Sequence, residues 1–311
     1  MLSYIINAPL EDLLNEADRT RSATFGNSID LCAIVNIKSG QCAMDCRFCA
    51  QSLHHHASIE TYPLLHATEL SQETRTLWQQ NILRVGWVAS GCSPTAQEVD
   101  EVIESATPLL ADTAAFRGAD QLCASLGQLD TAALSRLKSA GFCRYHHNLE
   151  TSERFYSSIC TTQCWRDRRK TVERVKELGW TVCSGGLFGL GETWEDRLQL
   201  ALTLQELEVD SVPINFFSPI PGTPFACRER LSIEEALRIV ILYRLTLPAA
   251  TIRICGGRTG IFAQRGGLLF RAGANALMTG NYLTTLGVSH EIDREMIEHS
   301  GLHVCNPSRI F

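Results

Sequence analysis

Short apolar runs recur along the chain, separated by longer stretches whose apolar positions return every three or four residues. The runs are LCAIVNI (31–37), RVGWVAS (84–90), QLCASL (121–126), CRYHHNLE (143–150), TVCSGGLFG (181–189), SVPINFF (211–217), TIRIC (251–255) and GANALMTG (273–280). Each has the length of a strand, which gives eight strands. Between them stand helix signals. Asp130 opens TAALSRLKSAG, with Leu134, Leu137 and Ala140 on one face and Gly141 placed to end it. Ser232 with Glu235 predicts a capping box before a helix that Pro248 closes, and Thr193 with Asp196 predicts a weaker version. Residues 1–30 read as a helical extension. Parallel neighbours need crossover helices, so strand–helix alternation predicts a parallel sheet. Eight units predict a single (β/α)8 TIM-type barrel over residues 1–311, with an open doubly wound sheet as the alternative. No Pro/Gly/Ser linker, charge block or repeat divides the chain.

At 45% hydrophobic and 20% charged, the 311 residues have the balance of a globular protein. Net charge is −6 and no dense Lys/Arg run exists, which argues against nucleic acid held through its phosphates. No apolar stretch is long enough to span a membrane. The short apolar start lacks a basic flank and runs into Glu11 and Asp12, so no signal peptide is expected and the cytoplasm is. In that compartment thirteen cysteines are metal ligands or reactive thiols rather than disulfides.

Directly after the first strand comes Cys42-Ala-Met-Asp-Cys46-Arg-Phe-Cys49. Three thiolates suit three corners of a [4Fe–4S] cubane and leave one iron open for chemistry. A zinc site completed by His54, His55 or His56 and a purely electron-carrying cluster are the alternatives. In a barrel, chemistry gathers at the C-terminal ends of the strands, where this motif falls.

The CxxxCxxC spacing with Phe48 before the last cysteine resembles the radical S-adenosyl-L-methionine (AdoMet) superfamily. KSGQCAMDCRFCAQS, YHHNLETS, CSGGLFGLGET, VPINFFSPIPGTP, IRICGGR and AGANALMTGNYLTT, in that order from Lys38 to Thr285, resemble the blocks of the biotin synthase family. The resemblance implies sulfur insertion into dethiobiotin, using two AdoMet-derived radicals per biotin and sulfur from an auxiliary iron–sulfur cluster. It also implies a flavodoxin or ferredoxin as electron donor and a homodimer. Other radical AdoMet barrel enzymes, such as a hydrogenase-cofactor maturase or an amino-acid isomerase, are the alternative, followed by a non-catalytic iron–sulfur electron carrier or sensor.

Carried onto these positions, the resemblance places Cys42, Cys46 and Cys49 on the radical cluster. Phe48, Asn148, Glu150, Arg168 and the turn from Gly185, Gly186 and Leu187 onward fall to AdoMet. His147, Asn148, Asn215, Thr284 and Thr285 fall to substrate. The family pattern for the auxiliary cluster is three cysteines and an arginine. Cys123, Cys183 and Arg253 match, but glycine (Gly86) stands where the second-strand cysteine belongs. Cys32 is the expected replacement thiol, with Cys255, two residues from Arg253 and on the same strand face, as a further candidate. Such a set would hold a [2Fe–2S] cluster or a four-iron cluster with an extra sulfide. Cys92 lies close enough to the barrel top to ligate. Cys143, Cys160, Cys164, Cys227 and Cys305 read as ordinary thiols, and Trp78, Trp165 and Trp180 as core. His54–His56 read as a solvated or substrate-capping loop, and alternation on strand four lets only one of His146 and His147 face the core, with His147 preferred.

Overall fold

All eight predicted strands form, but the fifth is broken in two. The structure, a computed structural model, describes residues 1–111 and 121–305. Two helices, α1 (Leu2–Asn7) and α2 (Leu10–Phe25), precede β1 (Ser28–Lys38), α3 (Ala67–Gln79), β2 (Arg84–Ala89), α4 (Ala96–Ala111) and β3 (Gln121–Ser125). There follow α5 (Thr131–Ala140), β4 (Arg144–His146), α6 (Glu153–Tyr156), α7 (Trp165–Glu177), β5 (Thr181–Cys183), β6 (Gly186–Phe188), α8 (Trp194–Glu206) and β7 (Ser211–Phe216). The chain ends with α9 (Ile233–Thr246), β8 (Thr251–Ile254), α10 (Arg258–Phe262), α11 (Leu268–Arg271), β9 (Ala276–Met278), α12 (His290–His299) and β10 (His303–Val304).

The sheet runs β1-β2-β3-β4-β5-β7-β8-β9, all parallel, and β9 returns to β1 through Asp30↔Ala276 and Cys32↔Met278. That closure settles the barrel over the open sheet. β5 and β6 together make the fifth stave, each pairing with β7. The break at Ser184–Gly185 has a tertiary cause: Asn148 Oδ1 takes the Gly185 N–H at 3.1 Å. A Cβ on Gly185 would lie 2.1 Å from the Pro213 carbonyl oxygen, so only glycine passes there.

Outward strand residues such as Val35, Val85, Leu122, Tyr145, Val182, Val212 and Ile252 are buried beneath the helices. Registers Gly86↔Cys123↔Arg144 and His146↔Cys183↔Ser211 mark the opposite face. There Cys32, Arg84, Cys123, Arg144, His146, Cys183 and Arg253 line one cavity. A purely structural barrel fills this space with Val, Ile and Leu. This one fills it with thiols and guanidinium groups.

The caps reverse the expected ranking. Thr193 and Asp196 form the reciprocal box on α8, each side chain accepting the other's backbone N–H. On α9 only Ser232 caps, accepting the Glu235 N–H at 3.1 Å, because the Glu235 carboxylate turns away to Arg197 Nη1 at 2.7 Å. Arg238 donates to the carbonyls of Ile5 (2.6 Å) and Ala8 (3.0 Å), tying the N-terminal helices to α9. Arg258 Nη2 donates to both carboxylate oxygens of Asp293 at 2.8 and 2.6 Å, fastening α12 to the barrel through a buried pair. Removing one partner of a buried pair strands the other charge. Asp293→Ala is therefore expected to cost about 3–5 kcal/mol, read as a lowered urea midpoint at unchanged slope.

Candidate active site

The three-cysteine motif lies on the loop leaving β1, where Gly40 (φ 73°) and Gln41 (φ 53°) both take left-handed backbone and reverse the chain. The loop is closed by Cys42 N–H to the Gln51 carbonyl (3.0 Å) and Leu53 N–H to the Cys42 carbonyl (2.8 Å). Asp45 accepts the N–H groups of Thr161 (2.8 Å) and Thr162 (3.1 Å) and both hydroxyls. Burial is the largest single influence and raises its pKa, but the Thr161 and Thr162 bonds together outweigh it and hold the carboxyl well below the usual range.

Of the histidines that follow, His54 and His56 are exposed, as a solvated loop requires, and His55 is half-buried. His54 Nε2 lies 3.0 Å from the Ala43 carbonyl and His55 Nε2 3.0 Å from that of Cys46, while His56 N–H bonds Gly222. These contacts brace the motif loop, and among the described residues no histidine joins the cysteines in a group fit for a single metal ion.

Cys42, Cys46 and Cys49 line a cavity of about 220 Å³. Among the described residues no three His, Cys, Asp or Glu side chains crowd close enough for a single ion. The thiols thus surround a space, as ligands to different irons of a cubane must. Hydrogen bonding to Cys160 raises the Cys46 pKa, and burial pushes Cys49 to about 11. Loading the cluster must therefore release protons. Cys160, expected to be an ordinary thiol, lines this cavity with Cys92, which accepts from Gln163 Nε2 at 3.2 Å.

The same cavity takes the AdoMet candidates. Arg168 reaches it from α7, donating to the Asn148 carbonyl (2.7 Å) and Gln163 Oε1 (2.8 Å) and pairing with Glu150 at 3.3 Å. Glu150 has φ 69°, a strained value for a side-chain-bearing residue. Burial raises its pKa, opposed by Arg168. His147 is 4% exposed and its Nε2 has no hydrogen-bond partner. Burial and the Arg168 charge hold its pKa well below the ordinary histidine range, so the ring is neutral. Phe48 lines this cavity and the adjoining one. Leu187 lines only the adjoining one, whereas Gly185 and Gly186 line neither. Both glycines instead let neighbouring backbone approach, since a Cβ on Gly186 would meet the Glu150 carbonyl at 2.5 Å.

The adjoining, larger cavity of about 320 Å³ runs into the barrel and shares Phe48, Cys49, His146, Asn148 and Glu150 with the first. Its upper wall carries Asn215, Thr284 and Thr285. Asn215 Oδ1 accepts the Gly256 N–H at 3.1 Å. Deeper lie Cys32, Cys123, Cys183 and Arg253, with Cys255 level with Asn215. Both strand-four histidines face cavity space, contrary to the alternation argument, because β4 ends at His146 and the pleat no longer governs His147. His146, not His147, reaches the larger cavity.

Burial raises the Cys183 pKa, but hydrogen bonding with His146 and the charges of His146, Arg144 and Arg253 outweigh it and bring it down to about 7. Burial pushes Cys32 up to about 11 against the pull of Arg253, and Cys255 well above the ordinary range. Cys123 lies 3.6 Å, sulfur to sulfur, from Cys143, the latter expected to be unremarkable. That contact lowers the Cys123 pKa and raises that of Cys143. Arg84, Arg144 and Arg253 face a single carboxylate, Asp30, which Arg253 Nη2 and Arg84 Nε (3.4 Å) already occupy. Such a floor fits an anionic guest held by thiolates.

Family models match two segments: the radical SAM superfamily over residues 36–204, and the biotin and thiamin synthesis associated domain over residues 213–303. The biotin synthase of Desulfovibrio desulfuricans is 48% identical over 98% of this chain and 95% of its own length. That of Brachyspira hyodysenteriae is 39% identical over 96% and 88%. The chain belongs to the biotin synthase family. Among solved structures, methylornithine synthase superposes with a TM-score of 0.83 at 21% identity, covering 99% of this chain and 94% of its own. An FeFe-hydrogenase maturase from Carboxydothermus hydrogenoformans gives 0.81 at 17% identity, covering 98% and 75%. At such identities these two share the barrel and nothing further follows from them. This biotin synthase family member is accordingly a radical AdoMet enzyme, and the family implies a [4Fe–4S] cluster with AdoMet. Among its described residues no helix is long and apolar enough to cross a membrane.

The membership makes the Glu150 carboxylate testable as an AdoMet contact. Its hydroxyl-accepting form is the ionised one, so binding should weaken as pH falls through its raised pKa, above the ordinary glutamate range. In Glu150→Gln that acid limb should vanish while overall affinity drops about 10-fold, the size of one charge-assisted hydrogen bond. Equilibrium binding of AdoMet against pH reads both.

Proposed function

We propose that this chain converts dethiobiotin to biotin, with AdoMet and the radical cluster in the smaller cavity and the sulfur donor on the floor of the larger one. The observation that carries the reading is the continuity of the two cavities. Cys49, Asn148 and Glu150 stand at their junction, and Cys32, Cys123, Cys183 and Arg253 lie beyond it.

Each group present has work to do. Cys42, Cys46 and Cys49 hold the radical cluster, which when bound supplies the electron that cleaves AdoMet to methionine and a 5′-deoxyadenosyl radical. Glu150, oriented by Arg168, accepts from the ribose hydroxyls, and neutral His147 offers its unpartnered Nε2 to the same cofactor. Asn148 and Asn215 orient the ureido ring, while Thr284 and Thr285 bond the carboxylate at the far end. The apolar remainder of the wall keeps water from the reacting carbon.

Cys32, Cys123 and Cys183, with Arg253, hold the auxiliary cluster. Cys32 takes the place of the second-strand thiol because it pairs in register with Arg84, which is two residues before Gly86 on β2 and shares its inward face. Three arginines against one aspartate favour the more anionic guest, a four-iron cluster with an extra sulfide, over a [2Fe–2S] cluster. The electron donor is a flavodoxin or ferredoxin, and the enzyme works as a cytoplasmic homodimer.

Anaerobic reconstitution with iron and sulfide, followed by AdoMet, dethiobiotin and a strong reductant, tests the reading by mass spectrometry. Biotin together with 5′-deoxyadenosine is expected. Deoxyadenosine without biotin, from protein loaded with both clusters, would keep the radical chemistry and remove the substrate assignment.

A further inference from the structure

At the floor of the larger cavity, Arg144 opens strand β4, which runs between the two strands that carry Cys123 and Cys183. It pairs in register with Cys123 on one side, and His146, two residues on, pairs with Cys183 on the other. Arg144 lines the cavity, yet its Nε and Nη1 are buried without any hydrogen-bond partner. Its neighbours do not explain this. Asp30, the carboxylate nearby, is engaged by Arg253 and Arg84. The two sulfurs beside it, Cys123 and Cys143, lie 3.6 Å apart and engage each other. Buried guanidinium N–H groups left unpaired are costly, and two on one side chain mark the place of an absent acceptor.

The acceptor must be an anion, because the floor is already cationic. It must be small, because Cys123, Cys183 and Arg84 occupy the flanks. It must also tolerate sulfur neighbours and weak directionality. We propose that Arg144, beside the Cys123–Cys143 pair, holds the transferable sulfide: an inorganic sulfide or hydrosulfide ion seated against the auxiliary cluster, beyond the sulfide of its core. Arg144 is a positioning residue. Its forked donors hold the ion at the floor, on the cluster side of the cavity. Nothing is oxidised or reduced in taking up the ion: hydrosulfide enters as an anion and its charge is matched by the guanidinium. Cys143 narrows the seat by keeping Cys123 turned toward it. This inference rests on the assignment of Cys32, Cys123 and Cys183 to an auxiliary cluster.

The test uses the full chain reconstituted anaerobically and then desalted, with iron and acid-labile sulfide counted before any substrate is added. Wild type is expected to carry about one sulfide per chain more than the cluster cores require. In Arg144→Met the iron should stay and the excess sulfide should be lost. Arg144→Lys, which keeps the charge but not the fork, should retain part of it. Unchanged AdoMet affinity in both variants reports an intact barrel. Wild type with both clusters but no excess sulfide would overturn the inference, as would excess sulfide that survives Arg144→Met at full iron. Wild type holding the iron of a single cubane would instead remove the cluster assignment, and the inference with it.

Discussion

Cys49→Ala is expected to reduce AdoMet cleavage below about one hundredth of wild type, past the range seen when only an outer-shell metal partner is lost. Cys49 is the motif thiol that lines both cavities. With it gone, Cys42 and Cys46 cannot hold three corners of a cubane. The loop itself should persist, because its closing bonds are backbone: Cys49 N–H to Cys46 carbonyl at 2.9 Å and Cys42 N–H to Gln51 at 3.0 Å. The variant should therefore fold, bind less iron and form neither 5′-deoxyadenosine nor biotin. Chromatography of deoxyadenosine beside an iron count checks it. Cys49 is a cleaner choice than Cys46, whose neighbour Cys160 offers a second thiol.

Cys32→Ser should separate the two halves of the chemistry. AdoMet cleavage is expected to continue, while biotin formation drops at least about 10–100-fold as the auxiliary cluster is lost. The stronger result is the rescue. A Cβ built on Gly86 would meet nothing nearer than Ile34 Cγ2 at 3.5 Å, an ordinary contact. Gly86 also pairs directly with Cys123 across β2 and β3. A thiol restored there has room and faces the same cavity. Cys32→Ser combined with Gly86→Cys is expected to regain the iron of the second cluster. If Cys32→Ser alone keeps that iron, Cys32 is packing, and Cys255 or Cys143 is the third ligand.

How far the sequence reaches can be judged from these same positions. The strands were legible because each is an apolar run, and the barrel because eight such runs alternate with helices. The break at Ser184–Gly185 was not, since it depends on Asn148, far off in the chain, taking the Gly185 N–H. The cap ranking failed at Glu235 for the same reason: Arg197 competes for its carboxylate.

In the site, family-like blocks led to residues that, Gly185 and Gly186 apart, line two joined cavities. They did not lead to Arg84, Arg144 or Cys143. A signal existed for Arg84, two residues from Gly86 and so on the same inward face, but the preference for His147 over His146 turned Arg144 outward. Cys143 precedes its strand, where the pleat gives no direction. Its approach to Cys123 appears only once β3 and β4 are docked. His147 was expected to face the cavity in place of His146. Both reach cavity space because the strand stops between them.

The central claim is that the sulfur in biotin comes from a cluster held by Cys32, Cys123 and Cys183. The direct measurement is to reconstitute the protein anaerobically with ³⁴S-sulfide, remove free sulfide, and run turnover with unlabelled AdoMet and reductant. The mass of the biotin formed is then read. The account predicts ³⁴S in the first biotin formed, and none formed by Cys183→Ser. Biotin carrying unlabelled sulfur from fully labelled protein would contradict it.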